Sequence, residues 1–169
     1  MDITSEKCFS CGAIVPAIEW QVHPYMDSLP GCWYLFNQIL EKEFSDPAYR
    51  VKSRLTTDAY AVQHYGMEKI PQAMKSVNHH LISLCFYFEF KMTLVQSDAA
   101  FRKLAKYKDQ FTWLTPPKSV GEITVADVIK AKSAEEHLDL VEKWAWSAWN
   151  AWAEHHNTIK RFISEYYNF

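Results

Sequence analysis

Three of the four cysteines lie within the first 32 residues, and two of them belong to the motif Cys-Phe-Ser-Cys-Gly at residues 8–12. Two thiolates at this spacing can bind one side of a tetrahedral cation, and the glycine lets the chain turn so that backbone amides face the sulfurs. A histidine and a third cysteine follow within reach of the same turn. The sequence therefore predicts a structural zinc site formed by Cys8, Cys11, His23 and Cys32.

Alternatives stay open for these four residues. Cys8 and Cys11 could bind nothing, with Cys32 as a small core residue. A redox-active Cys-x-x-Cys pair is a further alternative, although that motif normally starts a helix after a strand and we predict no strand before Cys8. His23 could equally belong to a packed loop with its neighbour Pro24, so that water or a remote histidine completes the site.

A second group of histidines falls on predicted helices. His64 ends the second helix, and His80 and His156 lie on the apolar faces of the third and last helices. Imidazoles from three helices are a common means by which a bundle holds a divalent metal with an open position. His64, His80 and His156 thus form a candidate second metal site, with Asp58 or His155 as candidate catalytic base; the alternative is that each is a core histidine with one hydrogen bond.

Other polar and aromatic residues carry weaker signals. We expect Glu89 to point outward, and His137, near a helix start, to be exposed and without a role. Trp146 lies off the apolar stripe of the last helix, and exposed aromatic side chains tend to mark contacts. A protein partner or a second copy of the chain is therefore a candidate partner through exposed aromatic residues.

The composition excludes several function classes. The net charge is −2 and the lysines and arginines are scattered, which argues against nucleic acid as a partner. No signal peptide and no apolar run of membrane length occurs, so we expect no membrane partner and a cytoplasmic location. Thiols stay reduced in the cytoplasm, which favours metal binding over a disulfide.

The elements that position these residues are predicted to be helices. Only 4 glycines accompany 7 tryptophans, 9 tyrosines and 10 phenylalanines, a composition that suits long helices around a bulky interior. We predict an all-α single domain over residues 1–169: an irregular metal-binding arm at residues 1–30 and a helical bundle at residues 31–169. Its four main helices are expected over 32–44, 47–65 with a break near 56–57, from 71 to about 95, and from 133 to about 166, with shorter ones over 99–108 and 124–131.

Several phrases of the sequence resemble those of an uncharacterised bacterial family known as a domain of unknown function. They include Cys-Phe-Ser-Cys-Gly-Ala, His-Pro-Tyr-Met, Pro-Gly-Cys-Trp, Asp-Ala-Tyr-Ala-Val-Gln-His and Ala-Trp-Ala-Glu-His-His, and they span nearly the whole chain. The resemblance implies that functional positions include Cys8, Cys11, His23, Cys32, Asp58, His64, His80, His155 and His156. One departure occurs at residues 63–66, where Gln-His-Tyr-Gly replaces the expected Gln-His-Pro-Gly.

The predicted architecture is also similar to the DinB and YfiT-like four-helix proteins. That similarity implies a divalent metal held by three histidines and a thiol-dependent transferase or hydrolase activity. It rests on helix count and histidine number, and a shared fold does not establish a function.

Three functions are consistent with these residues. The first is a zinc-binding protein of unknown biochemical role, in which structural zinc clamps the arm. The second is a metal-dependent hydrolase or transferase that uses the three-histidine site. The third is a protein-interaction module in which zinc only orders the arm.

Overall fold

The structure is a computed structural model that describes residues 4–167. It is mostly helical, as predicted, with a small irregular region at the N-terminus. The α-helices of the described residues are α1 (Pro30–Ser45), α2 (Pro47–Arg50), α3 (Ser53–Gln63), α4 (Pro71–Phe88), α5 (Leu94–Leu104), α6 (Val125–Val128), α7 (Ala134–Ala151) and α8 (His156–Tyr166). Turns of 3-10 helix follow α5 at Ala105–Gln110 and α7 at Ala153–His155.

The arm contains a hairpin that the sequence pattern did not predict. Strands β1 (Ser5–Lys7) and β2 (Ile14–Pro16) pair antiparallel, with Glu6 opposite Val15. Each strand has three residues, too short for a period-2 pattern to stand out. The turn between them is the Cys-x-x-Cys-Gly segment, so the strands hold both ends of the predicted metal-binding motif.

Helix boundaries follow local chemistry. Proline occupies the first position of α1, α2 and α4, where its missing N–H costs nothing. The Thr93 side chain accepts from Gln96 N, and the Ser133 side chain accepts from Glu136 N, which satisfies first-turn amides of α5 and α7. These caps explain why the predicted helices exist, while their exact ends differ by several residues.

The predicted last helix is divided into α7 and α8. Its backbone leaves helical geometry at Trp152, whose indole Nε1 donates 3.1 Å to the Val62 carbonyl. His156 Nε2 lies 2.9 Å from the Trp149 carbonyl, and the His156 ring stacks on the Trp149 ring at 3.6 Å. The Trp152 and His156 side chains thus make their contacts at the point where the helix is interrupted.

Helix α3 lies between α4 and α7 and contacts both extensively. Large aromatic side chains fill the interior around it: Trp144, Trp149, Trp152, Tyr60 and Phe86 are each no more than 1% exposed. This buried position means that α3 can present side chains to several elements at once. No helix among residues 4–167 combines the length and apolar character required to cross a membrane.

A buried polar cluster joins three helices. Glu43 of α1 accepts from Thr56 of α3 at 2.5 Å and lies 2.8 Å from His137 Nε2 of α7. His137 is 1% exposed, so its predicted exposure is wrong. A carboxylate partner on another helix allows this imidazole to be buried. Glu89 and Trp146 are exposed, as predicted.

Candidate metal centre

Three separate segments bring their side chains together beneath the arm. The hairpin turn supplies Cys8 and Cys11, the first turn of α1 supplies Cys32, and the C-terminal end of α3 supplies His64. All four side chains are buried, and their ligand atoms all lie within 4.8 Å of one another. Within residues 4–167 no other group of three or more cysteines, histidines or carboxylates converges in this way.

Three of the six distances between these ligand atoms match the edges of a metal tetrahedron. With Zn–S of about 2.3 Å and Zn–N of about 2.0–2.1 Å, ideal tetrahedral edges are about 3.8 Å between sulfurs and about 3.6 Å between sulfur and nitrogen. Cys11 Sγ and Cys32 Sγ are 3.8 Å apart. His64 Nε2 lies 3.8 Å from Cys8 Sγ and 3.4 Å from Cys32 Sγ. The side chains therefore surround a volume of the size that one small tetrahedral cation requires.

Backbone geometry positions the two hairpin cysteines. Cys8 N donates to the Ala13 carbonyl at 2.8 Å, and Gly12 N donates to the Cys8 carbonyl at 2.9 Å. Gly12 has a φ of +78°, a conformation that L side chains rarely adopt. The turn can thus reverse within four residues and direct both thiols inward.

The fourth ligand position depends on the orientation of the His64 ring. Its Nδ1 lies 2.7 Å from the Tyr60 carbonyl, which can only accept, so Nδ1 carries the proton. Nε2 is consequently the lone-pair nitrogen, and it faces the sulfurs. The ring also stacks on Tyr60 at 3.9 Å. A hydrogen bond of this kind to the far nitrogen is the usual support of a metal-binding histidine.

The thiols influence one another's ionisation. Hydrogen bonds from Cys11 and then Cys32 hold the pKa of Cys8 far below its usual range. The pKa of Cys32 is raised far above its usual range, first because its thiol interacts with Cys11 and Cys8, and further because it is buried. One thiolate therefore forms readily, whereas Cys32 ionises only when a cation compensates the accumulating negative charge.

A cleft borders the hairpin side of the centre. A cleft of about 430 Å³ lies between the hairpin turn and residues 117–121, and Cys8 and Cys11 are among its lining residues. Lys7 and Lys118 also line it. Cys8 and Cys11 are only 1% and 6% exposed, so the cleft passes over the hairpin turn and little of either cysteine faces it.

His23 does not lie in the cluster, contrary to the sequence prediction. Its Nδ1 accepts hydrogen bonds from Tyr25 N at 3.3 Å and Met26 N at 3.1 Å. Its ring packs edge-on against Tyr25 and Trp33, at centroid distances of 4.3 Å and 5.1 Å. His23 thus belongs to a packed loop, which was the alternative given from the sequence. The histidine that lies with the three cysteines is the remote His64.

The proposed three-histidine site is not assembled either. His64 faces the sulfurs, His80 Nδ1 lies 2.7 Å from Asp58, and His156 stacks on Trp149. The imidazoles belong to three different environments because α3 is oriented with His64 toward the arm, whereas Asp58 faces α4. His155, the other candidate base, lies 2.8 Å from the Thr115 carbonyl.

The position of His64 had a partial signal in the sequence. His64 lies in the last turn of the predicted second helix, two residues before Gly66, where a side chain can face a neighbouring element. No rule of spacing links it to Cys32, because the pairing depends on how α1 and α3 pack. The resemblance placed it among the functional positions without assigning it to either site.

Comparison with known proteins gives one family. No curated protein and no solved structure matches the chain, so its similarity to the DinB and YfiT-like proteins stays a prediction. One family model, described as a family of unknown function, matches residues 6–153 and so includes all four residues of the cluster. The chain therefore belongs to the family of unknown function DUF5946.

Proposed function

We propose that this protein binds one zinc ion through Cys8, Cys11, Cys32 and His64, and that the ion clamps the N-terminal arm to the helical body. The observation that carries the proposal is the tetrahedral spacing of ligand atoms from segments 56 residues apart along the chain. Cysteines without a common ligand would not be expected to lie at this spacing around an imidazole whose lone-pair nitrogen faces them. Three cysteine sulfurs and one histidine nitrogen in a tetrahedron are a ligand set typical of structural zinc.

The role of the ion is structural in this proposal. Four protein ligands complete a tetrahedron, whereas a catalytic zinc site keeps one position for water or substrate. The ligands belong to the hairpin, α1 and α3, so binding fixes the arm to two helices at once. Arm and bundle then form a single domain, in a cytoplasmic protein whose thiols stay reduced.

Zinc titration of the chelator-treated full chain tests this role. The proposal expects one ion bound per chain and a melting temperature that rises by several degrees as the ion is restored, since binding is coupled to arm docking. A matched control is Cys85→Ala, because Cys85 is buried and free but lies outside the cluster. Cys11→Ser should abolish the stabilisation that zinc gives, and Cys85→Ala should keep it. A melting temperature unaffected by zinc in the parent chain would contradict the clamp.

A second candidate, the protein-interaction module, is favoured by the surface of the arm. Phe9, Ile14, Trp20 and Val22 are 48–59% exposed, which is unusual for four large apolar side chains within fourteen residues. If they mediate self-association, light scattering should show a concentration-dependent mass that Phe9→Ser with Ile14→Ser reduces. A monomer at all concentrations in both proteins would remove self-association as the role of this surface.

A further inference from the structure

A second site lies outside the metal centre, in a cleft of about 490 Å³. The cleft is formed by α4 on one side and by α5 with the 3-10 turn that follows on the other. Among its lining residues are Lys75, His79, His80, Phe101, Lys108 and Phe111. A volume of this size accommodates a small organic molecule.

The polar end of the cleft is organised around Asp58, whose side chain is fully buried. Its carboxylate accepts from His80 Nδ1 at 2.7 Å, Ser83 Oγ at 2.6 Å and Arg54 Nε at 3.2 Å. Because the carboxylate accepts from Nδ1, the His80 proton resides there and Nε2 carries the lone pair. A buried carboxylate that fixes the tautomer of an imidazole is the arrangement that prepares histidine to act as a base.

His80 Nε2 is the unused group of this arrangement. It has no hydrogen-bond partner among residues 4–167. Fully buried nitrogen and oxygen atoms without a partner are confined to Ser28 and Glu43 in this part of the chain, so His80 Nε2 is in contact with solvent. The neighbouring His79 differs, because its Nε2 lies 3.0 Å from Arg54 Nη2. Of the two adjacent histidines, His80 therefore has the nitrogen available to a ligand.

The remainder of the cleft favours a flat apolar ligand that arrives uncharged. Phe101 and Phe111 contribute aromatic surface to the lining. Lys75 is paired with Asp109 at 2.9 Å, and Arg54 is shared between Asp58 and Asp98. Burying a charged ligand costs desolvation energy, and Lys75 and Arg54 compensate little of that cost because each already has a carboxylate partner. Lys108 is the lining cation without a salt bridge in the described part of the chain.

We propose that this cleft binds a small phenol, with the ring against Phe101 and Phe111 and the hydroxyl donating to His80 Nε2. When the phenol is acidic enough, its O–H bond breaks and the proton bonds to Nε2. The products are an imidazolium next to Asp58 and a phenolate in a cleft whose unpaired cation is Lys108. This inference does not depend on the metal centre, and no residue of the metal cluster lines the cleft.

Absorption spectroscopy with para-nitrophenol tests the proposal at a slightly acidic pH where the free probe is mostly the uncharged phenol, since phenol and phenolate forms of this probe differ in colour. Titration of the full chain should give a saturable increase of the phenolate band. His80→Asn keeps an amide donor for Asp58 but removes the ring nitrogen without a partner, Nε2, and should weaken binding by about tenfold. Ala105→Trp, which fills the cleft from the opposite wall, should abolish it. Lys143→Ala is the control, because Lys143 is exposed and does not line the cleft, and it should bind like the parent.

The proposal is overturned if the parent shows no saturable spectral change, or if His80→Asn binds as tightly as the parent. Tighter binding of benzoate than of para-nitrophenol would overturn the assignment to phenols, since benzoate arrives charged. Melting temperature and metal content of each variant are measured alongside, and Ala105→Trp provides the decisive comparison if His80→Asn does not fold.

Discussion

Gly31 lies directly against Pro16: a Cβ built on Gly31 would be 1.9 Å from the Pro16 carbonyl oxygen. The first turn of α1 and strand β2 can approach so closely only because residue 31 has no side chain. Cys32 follows immediately, and β2 is the return strand of the hairpin that carries Cys8 and Cys11. The close contact of Gly31 with Pro16 therefore helps to fix the distance between Cys32 Sγ and the two hairpin sulfurs.

Gly31→Ala should displace the arm and weaken the metal centre. Contact with a backbone oxygen cannot be relieved by a side-chain rotation, so β2 or α1 must shift and the sulfur positions shift with it. We expect at least about tenfold weaker zinc binding, measured by competition with a coloured chelator. Glu41→Ala, an exposed change on the same helix, is the control. Unchanged affinity in Gly31→Ala would show that the arm contact does not position the ligands.

Tyr60→Phe should weaken the centre to a smaller extent. Its hydroxyl lies 3.7 Å from Cys32 Sγ, and its ring stacks between Phe36 at 4.0 Å and His64 at 3.9 Å. Phenylalanine keeps both ring contacts and removes only the donor to sulfur, so zinc affinity should fall several-fold while the melting temperature of the zinc-free protein stays nearly constant. Equal zinc affinities of the parent and Tyr60→Phe would show that the hydroxyl does not support the metal centre.

The helices were predictable from local signals, whereas the centre was only partly so. Proline at helix starts and the cap at Ser133 depend on residues a few positions apart, and a single sequence contains that information. The cap at Thr93 was missed, because the predicted third helix ran past it to about residue 95. The three cysteines were identified for the same reason, because the Cys-x-x-Cys motif is local and Cys32 follows a Pro-Gly break. The exchange of His23 for His64 depends on how α1 packs against α3, and no spacing rule conveys such packing.

The buried pair Glu43–His137 illustrates the same limit. Each residue was unremarkable in sequence, since they are 94 positions apart and meet only in the folded chain. His137→Ala should destabilise the fold by about 3 kcal/mol or more, because it leaves a buried carboxylate without its partner. Chemical denaturation measures the change, with Lys143→Ala on the exposed face of α7 as control. Replacing both residues by leucine should restore part of the lost stability, and a His137→Ala cost below about 1 kcal/mol would contradict the role of the pair.

His79 should make the fold sensitive to acid. Burial first, then the electrostatic influence of the neighbouring His80 and Arg54, lowers the pKa of His79 to about 3. As the pH falls below 6.5, the unfolded chain takes up a proton at this residue and the folded protein does not, so stability declines until about pH 3. His79→Gln should reduce the slope of unfolding free energy against pH in this range. Because acid also protonates the thiolates, the comparison is between variant and parent, and equal slopes would count against the buried neutral histidine.

The metal content of two histidine variants tests the central claim most directly. Elemental analysis of the full chain, purified without an affinity-tag metal, should find one zinc per chain in the parent and in His23→Ala. His64→Ala should lose the ion or hold it too weakly to survive dialysis, since it removes one of four ligands. Zinc retained by His64→Ala and lost from His23→Ala, or a parent protein with no metal, would contradict the Cys8, Cys11, Cys32 and His64 centre.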